Sequence, residues 1–303
     1  MDNSPSTRHH PLLVKLINRA MRFMNTVGWA KIDLSEECLL AAARRETGLD
    51  RFGDECFLPG LRVLLRALDS EAALNPFGRL HAKMEITASL KNRLWANACF
   101  EANPEILQRK IAAPIVIVGP VRSGTTRLHR MLAADVRLQH LKAWEGFNPA
   151  PRLDLPDLGK TARHDEVEKF LRQGRRLNPG AFSAHPMEAD WAEEELLLLN
   201  HSFCGLSPLG FYNVPSYRAW FVAYDKTPAY RYMANLMKLV SWSRGDPENK
   251  RWVMKTPQYM LDLNVLLSVF PNAKLLFTHR DPLKTVASTV SLMWNFAAYT
   301  NYT

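Results

Sequence analysis

The chain has 303 residues, is 47% hydrophobic and carries 39 Lys and Arg against 30 Asp and Glu, a formal charge of +9. Such a chain can bury one large core with an appended layer, and its positive balance favours anionic ligands. Its longest uncharged apolar run falls short of the roughly 20 residues that span a bilayer, and it lacks both a block of consecutive basic residues and a recognisable nucleic-acid reading module, so no transmembrane segment and no nucleic-acid partner are expected. The four cysteines, Cys38, Cys56, Cys99 and Cys204, are widely separated. They show no metal-ligand spacing, so reduced thiols and no metal are expected. Without a charged-then-apolar leader at its start, the chain is expected in the cytoplasm.

Residues 11–30 place Leu13, Leu16, Ile17, Ala20, Phe23 and Met24 at helical spacing, which predicts a packed helix. Lys15, Arg19 and Arg22 fall on its other face, and attachment to an anionic membrane surface is the lesser alternative. Ser35 has the chemistry of an N-cap, Glu36 and Glu37 suit a first turn, and Gly48 suits a helix end. A second helix carries Leu61, Leu64, Leu65 and Leu68 on one face and runs toward Pro76. A third, from about Gly78 to Ala102, turns Leu80, Met84, Thr87, Leu90, Leu94 and Ala98 inward. No strand is predicted before residue 111.

Ile115 to Val118 is a short run of β-branched residues without a polar member, which suits a strand buried on both faces of a parallel sheet. Gly119 and Gly124 bracket the turn that follows, and Leu128, Met131 and Leu132 repeat at helical spacing. A strand, loop and helix in that order bind phosphate through the free amides and positive end of the helix. The glycine spacing matches Walker A, but Thr125 stands where the phosphate-gripping lysine belongs, while Arg122 supplies a cation elsewhere in the loop.

The run from Gly119 to Thr126, Gly-Pro-Val-Arg-Ser-Gly-Thr-Thr, resembles the 5′-phosphosulfate loop of sulfotransferases that use 3′-phosphoadenosine 5′-phosphosulfate (PAPS). Val121 replaces the proline most common before the arginine. The run from His279 to Ser288 is similar to the 3′-phosphate motif of that family, with Arg280 at a strand end and Ser288 on the next helix. The resemblance implies an α/β fold, a P-loop-like parallel sheet flanked by helices with an all-helical N-terminal layer. It divides the chain into a helical extension over 1–110 and a PAPS-binding domain over 111–303. Arg122, Ser123, Gly124, Thr125, Thr126, Arg280 and Ser288 would hold the nucleotide.

Other residues gain expected roles from the same resemblance. Glu145, in the irregular passage after the phosphate loop, matches a catalytic-base glutamate of tyrosylprotein sulfotransferases. Lys255, at the end of a predicted strand over Arg251 to Lys255, matches a lysine beside the transferred sulfate. His185 and Glu194 match a family arrangement and are candidates for lining the acceptor site. By itself the triplet Glu193, Glu194 and Glu195 reads as a solvated helix start. Trp220, Phe221, Tyr224, Tyr230, Tyr232, Met233 and Trp242 form the most aromatic stretch. Core packing accounts for most of them, and an excess of such side chains beside a nucleotide site would also suit a hydrophobic acceptor.

After Lys255 a helix with Leu261, Val265 and Val269 on one side is predicted, then a strand over Leu275 to Thr278. Asp281 can cap the last helix with Pro282 at its first position, where Leu283, Val286, Val290 and Met293 would face inward. Family members continue beyond the position of Thr303, so a C-terminally shortened chain is expected. The function implied is transfer of a sulfuryl group from PAPS to a hydroxyl or phenol. The rivals are a P-loop nucleotide kinase, against which the missing lysine counts, and a nucleotide-binding scaffold without catalysis.

Overall fold

The computed structural model describes residues 12–26 and 32–297. Five helices come first: α1 (Leu12–Thr26), α2 (Glu36–Thr47), α3 (Leu58–Ser70), α4 (Pro76–Ala102) and α5 (Glu105–Gln108). Their limits follow from local chemistry. The Ser35 hydroxyl accepts from the amide of Cys38, and Gly48 closes α2 at φ 69°, a left-handed conformation that glycine reaches without strain. Asn75 caps α4 by accepting from the Gly78 amide at 2.8 Å, with Pro76 at the first helical position. Pro76 therefore starts a helix here, while α3 ends earlier, at Ser70.

Residues beyond 110 alternate between short strands and helices. β1 (Ile115–Val118) leads to α6 (Thr125–Ala133), β2 (Leu138–Gln139), α7 (Ala143–Phe147), α8 (Lys160–Leu177) and α9 (Pro179–Ala184). Then come α10 (Leu196–Asn200), α11 (Ser207–Phe211), α12 (Pro215–Ala223), α13 (Thr227–Arg244), β3 (Arg251–Lys255), α14 (Leu263–Val269), β4 (Lys274–Phe277) and α15 (Pro282–Ala297). The sheet order is β2-β3-β1-β4 and every pairing is parallel. Ile115 pairs with Val253 on one side and Lys274 on the other, so the strands end level. The segments after β1, β3 and β4 consequently emerge at one edge, where ligands gather in open α/β sheets.

Two cores hold these layers. One joins β1 and β3 to α13 through Val116, Val118, Trp252, Met254, Met233 and Met237. The other packs α2, α3 and α4 with Phe203, Tyr212, Tyr217 and Phe221. The boundary expected at residue 110 falls between α5 and β1, yet both cores cross it: Ala96 and Cys99 belong to the first, and Tyr217 to the second.

Several helices present a different face from the one their spacing predicts. On α1 the described buried residues are Val14, Asn18 and Met21, while Leu16 and Phe23 are exposed; the side chains of Leu13 and Met24, and residues 11 and 27–30 of the predicted helix, lie outside what is described. The Asn18 side chain accepts from the Phe77 amide at 2.8 Å, so a polar residue orients the helix. Met84 of α4 is exposed while Ile86 is buried, and Leu261 is exposed while Leu266 is buried. The largest reversal is on α15, where Leu283, Val286 and Val290 face outward and Thr285 and Leu292 are buried. On that helix Ser288, half-buried, faces the loop after β1, where its hydroxyl accepts from Arg122.

Candidate active site

The loop from Gly119 to Gly124 is shaped by close approach and by two positive φ angles. A Cβ on Gly119 would lie 2.0 Å from the Thr278 hydroxyl, so only glycine fits between the ends of β1 and β4. Gly124 has φ 94°, and Arg122 takes φ 69°, uncommon for a residue with a side chain. The Ser123 hydroxyl meets the Pro120 carbonyl and the Thr278 hydroxyl, each at 2.7 Å, tying the loop to the strand beside it. α6 then starts at Thr125, with the amides of its first turn lacking helical partners. Free amides and a positive helix end make this corner suited to an anion.

The two motifs read from the sequence meet. The Arg122 Nε donates to the Ser288 hydroxyl at 3.0 Å, and its Nη1 donates to the Ala184 carbonyl at 2.8 Å. Arg280 donates from Nη1 to the Arg122 carbonyl at 2.6 Å. Arg122 thus touches α15 on one side and the segment leading to His185 on the other.

A second cluster forms where β3 ends. Lys255 is buried, and its ammonium donates to the Thr126 hydroxyl at 3.3 Å and forms an ion pair with Glu194. Glu193 is also buried, its two carboxylate oxygens 3.3 Å from the His185 Nε2. Burial alone would push the Glu193 carboxyl up, but His185 and Lys255 outweigh it and bring it down to about 2. Burial likewise opposes charge on His185, yet Glu193 and Glu194 raise its pKa above the ordinary value. Glu195 has 0% exposure. It accepts from the Lys255 amide at 2.8 Å and the Tyr259 hydroxyl at 3.0 Å, and burial pushes its carboxyl up to about 8.

The triplet is therefore no solvated helix start. Glu193 and Glu194 precede α10, and an antiparallel bridge holds the segment against residues 141–144: Glu193 donates from its amide to the Leu141 carbonyl at 2.8 Å, and Ala143 to the Trp191 carbonyl at 3.0 Å. Glu193 and Glu195 were missed as site residues. The signal present was three consecutive carboxylates before four leucines, a composition that suits burial at one end and charge at the other.

Glu145 does not join this cluster. It is 2% exposed, its carboxylate is forked by Arg244, and Oε2 accepts from the Lys142 amide at 3.0 Å. The Arg244 Nη2 also donates to the His140 carbonyl at 2.9 Å, which joins α7 to the end of α13. His129, another residue the sequence reading passed over, lies buried beside Lys255 with its pKa lowered to about 3, first by burial and then by that lysine. It is neutral at physiological pH and adds no positive charge to the site.

The aromatic stretch mostly fills the core. Phe221, Tyr230, Tyr232 and Met233 are buried, Trp220 stacks on Tyr224 at 4.4 Å between ring centroids, and none of these rings is hydrogen-bonded to the Lys255 cluster. Other rings pack between α11 and α15, where Phe211 and Phe296 lie 5.3 Å apart, and between α9 and α8, where Phe182 packs against Gly174. No described helix is long and apolar enough to cross a membrane. A cation could be held by His185, Glu193 and Glu194, whose donor atoms lie within 4.8 Å of one another. The ammonium of Lys255 already occupies the Glu194 side of that group.

Known proteins share this fold. The sulfotransferase family profile matches residues 114–303. Sulfotransferase STF1 of Mycobacterium tuberculosis H37Rv superposes with a TM-score of 0.74 at 32% identity, covering 86% of this chain and 71% of that one. Sulfotransferase STF9 of Mycobacterium avium has the same fold, with a TM-score of 0.75 at 24% identity over 89% of this chain and 68% of that one. No curated protein gave a significant match. A profile matched over more than half the length, together with a relative this similar, establishes that the chain belongs to the sulfotransferase family.

Proposed function

We propose that the protein moves a sulfuryl group from PAPS to the oxygen of a hydroxyl or phenol, releasing 3′-phosphoadenosine 5′-phosphate (PAP). The observation that carries this reading is the contact between the two motifs: Arg122 of the β1–α6 loop reaches Ser288 of α15, and Arg280 reaches back to the loop. A nucleotide with phosphates at both ends needs donors at both ends of one cleft. The amides of α6 with Ser123, Thr125 and Thr126 suit the phosphosulfate, and Arg280 with Ser288 suits the 3′-phosphate. Thr125 in place of a Walker lysine disfavours the kinase alternative.

In the transfer, the acceptor oxygen forms a bond to sulfur while the bond between sulfur and the 5′-phosphate oxygen breaks. The protein aligns the two and stabilises charge on the leaving and equatorial oxygens. Lys255 is suited to that task because one ammonium touches Thr126 at the phosphosulfate end and Glu194 at the other. Arg122 adds a second cation. We assign the acceptor's proton to Glu194 in preference to Glu145, whose oxygens are taken up by Arg244 and the Lys142 amide. His185, held by Glu193, would line the acceptor side. A small hydroxyl or phenol with an apolar body suits the rings of α11 and α15.

A general base contributes about 10² to 10⁴ in rate, so Glu194→Gln is expected to lower turnover of labelled PAPS with a phenol panel on that scale while PAP binding survives. Turnover close to wild type in that variant removes Glu194 from the role. Stabilisation by ATP with magnesium but not by PAP would overturn the donor assignment.

A further inference from the structure

A cavity of about 570 Å³ lies at the opposite edge of the sheet, where the strands begin. Pro114, just before β1, and Asn272, just before β4, form part of its wall, whereas the Lys255 cluster stands where the strands end. Helix α13 contributes Arg231, Ala234, Asn235 and Lys238. Their spacing of three, four and seven residues sets them on one helix face. Arg109 and Lys110 supply two further cations from the segment between α5 and β1.

Four cations thus line one cavity that has no carboxylate in its wall. Arg109 is held in place, its Nη2 donating to the Asp246 carbonyl at 2.5 Å and the Ser241 hydroxyl at 3.4 Å. Lys238 donates to the Leu107 carbonyl at 2.7 Å, and burial lowers its pKa below the usual lysine range. Two acids act on the group from outside: Asp225 feels Arg231, and Glu248 accepts from the Lys110 amide at 3.1 Å and favours the charge of Lys238. Neither forms an ion pair with any of the four side chains. Like charges gathered in a partly desolvated recess repel one another, and an anion entering the recess relieves that repulsion. Apart from Asn235 and Asn272 the remaining wall is apolar, with Ile111, Val269, Phe270 and Pro271 beside the cations. A volume of this size suits a small organic ligand.

We infer that this cavity is a second binding site, separate from the sheet edge that carries Lys255, for a small amphiphilic anion: an aryl or alkyl body bearing a sulfate or phosphate monoester. The apolar wall takes the body, and Arg231 with Lys110 takes the anionic head. The site does not depend on the donor assigned above, because none of its residues belongs to the loop after β1 or to the Lys255 cluster.

The test is calorimetric titration at low salt, with PAP present in excess, of 2-naphthyl sulfate, 2-naphthyl phosphate and uncharged 2-naphthol into the full chain. The variants are Arg231→Glu and Lys110→Glu, both at exposed positions, and Lys255→Ala as the control for the other edge. One charge-assisted hydrogen bond lost corresponds to about tenfold or more in affinity, so each charge reversal should weaken ester binding by at least that factor. The Lys255→Ala protein should still bind, and 2-naphthol should bind far more weakly than either ester. A preference between the two esters identifies which monoester the site takes. Absence of ester binding to the wild-type protein, equal affinity in both charge-reversal variants, or loss of binding in Lys255→Ala would overturn the inference.

Discussion

Three consecutive glutamates occupy three environments: Glu193 pairs with His185, Glu194 with Lys255, and Glu195 accepts the amide of Lys255 and the hydroxyl of Tyr259. The chain passes from the bridge to residues 141–144 into the helical turn that starts α10, with Glu195 already at φ −66° and ψ −5°, so three successive side chains leave the backbone toward three different partners. Glu145 is the contrasting case, a lone carboxylate sealed beneath Arg244. Removing one partner of a buried pair strands the other charge, so Glu145→Gln should lower unfolding free energy by about 3 kcal/mol in urea denaturation. A base would behave otherwise: unchanged stability with turnover lowered about a hundredfold or more would return the proton-accepting role to Glu145.

At the scale of elements, ends were more legible than faces. Ser35, Gly48 and Asp281 mark helix limits in sequence and in structure, because a cap is a contact between residues two to four apart. Asn75 is the exception: with Pro76 as a stop, its place in the sequence suits the end of one helix, whereas its buried side chain caps the start of α4. Asn75→Ala should cost about 1 kcal/mol or somewhat more, read as a lower midpoint in denaturant at unchanged slope. A change confined to the slope would point to an altered compact state instead of a lost cap. Faces depend on distant partners. The apolar spacing of α15 predicted Leu283, Val286 and Val290 inside, whereas Ser288 faces Arg122 and those three residues are exposed. The same holds for α1, turned by the bond between Asn18 and the amide of Phe77.

Across the whole molecule, the helical layer and the sheet share their interior. Arg93 is wholly buried between the rings of Phe57 and Tyr232, at 4.2 and 4.0 Å, and it donates to the His201 carbonyl at 3.2 Å and to the Asp54 carbonyl. Phe57 belongs to one core and Tyr232 to the other, so this one side chain links them. Removing residues 1–110 would expose Phe203, Tyr217 and Phe221 together and leave α13 without α4 and α5. We therefore expect a chain beginning at residue 111 to lose the single cooperative thermal transition of the full chain. A sharp transition at an unchanged temperature would show that the sheet-bearing part folds alone.

What the sequence determined unaided was local or carried by a repeated pattern. The strands Ile115–Val118 and Arg251–Lys255 were legible because buried parallel strands need unbroken apolar runs, and the phosphate-loop glycines because a close approach such as that of Gly119 to Thr278 admits no side chain. The two-residue strand β2 carries too short a pattern to be read. Only the tertiary structure decided that Arg122 meets Ser288, 166 positions away, that Glu194 stands beside Lys255, and that Glu145 does not. Those pairings depend on how parallel strands bring distant loops to one edge, and on which charges are desolvated together, neither of which is written in any local stretch of residues.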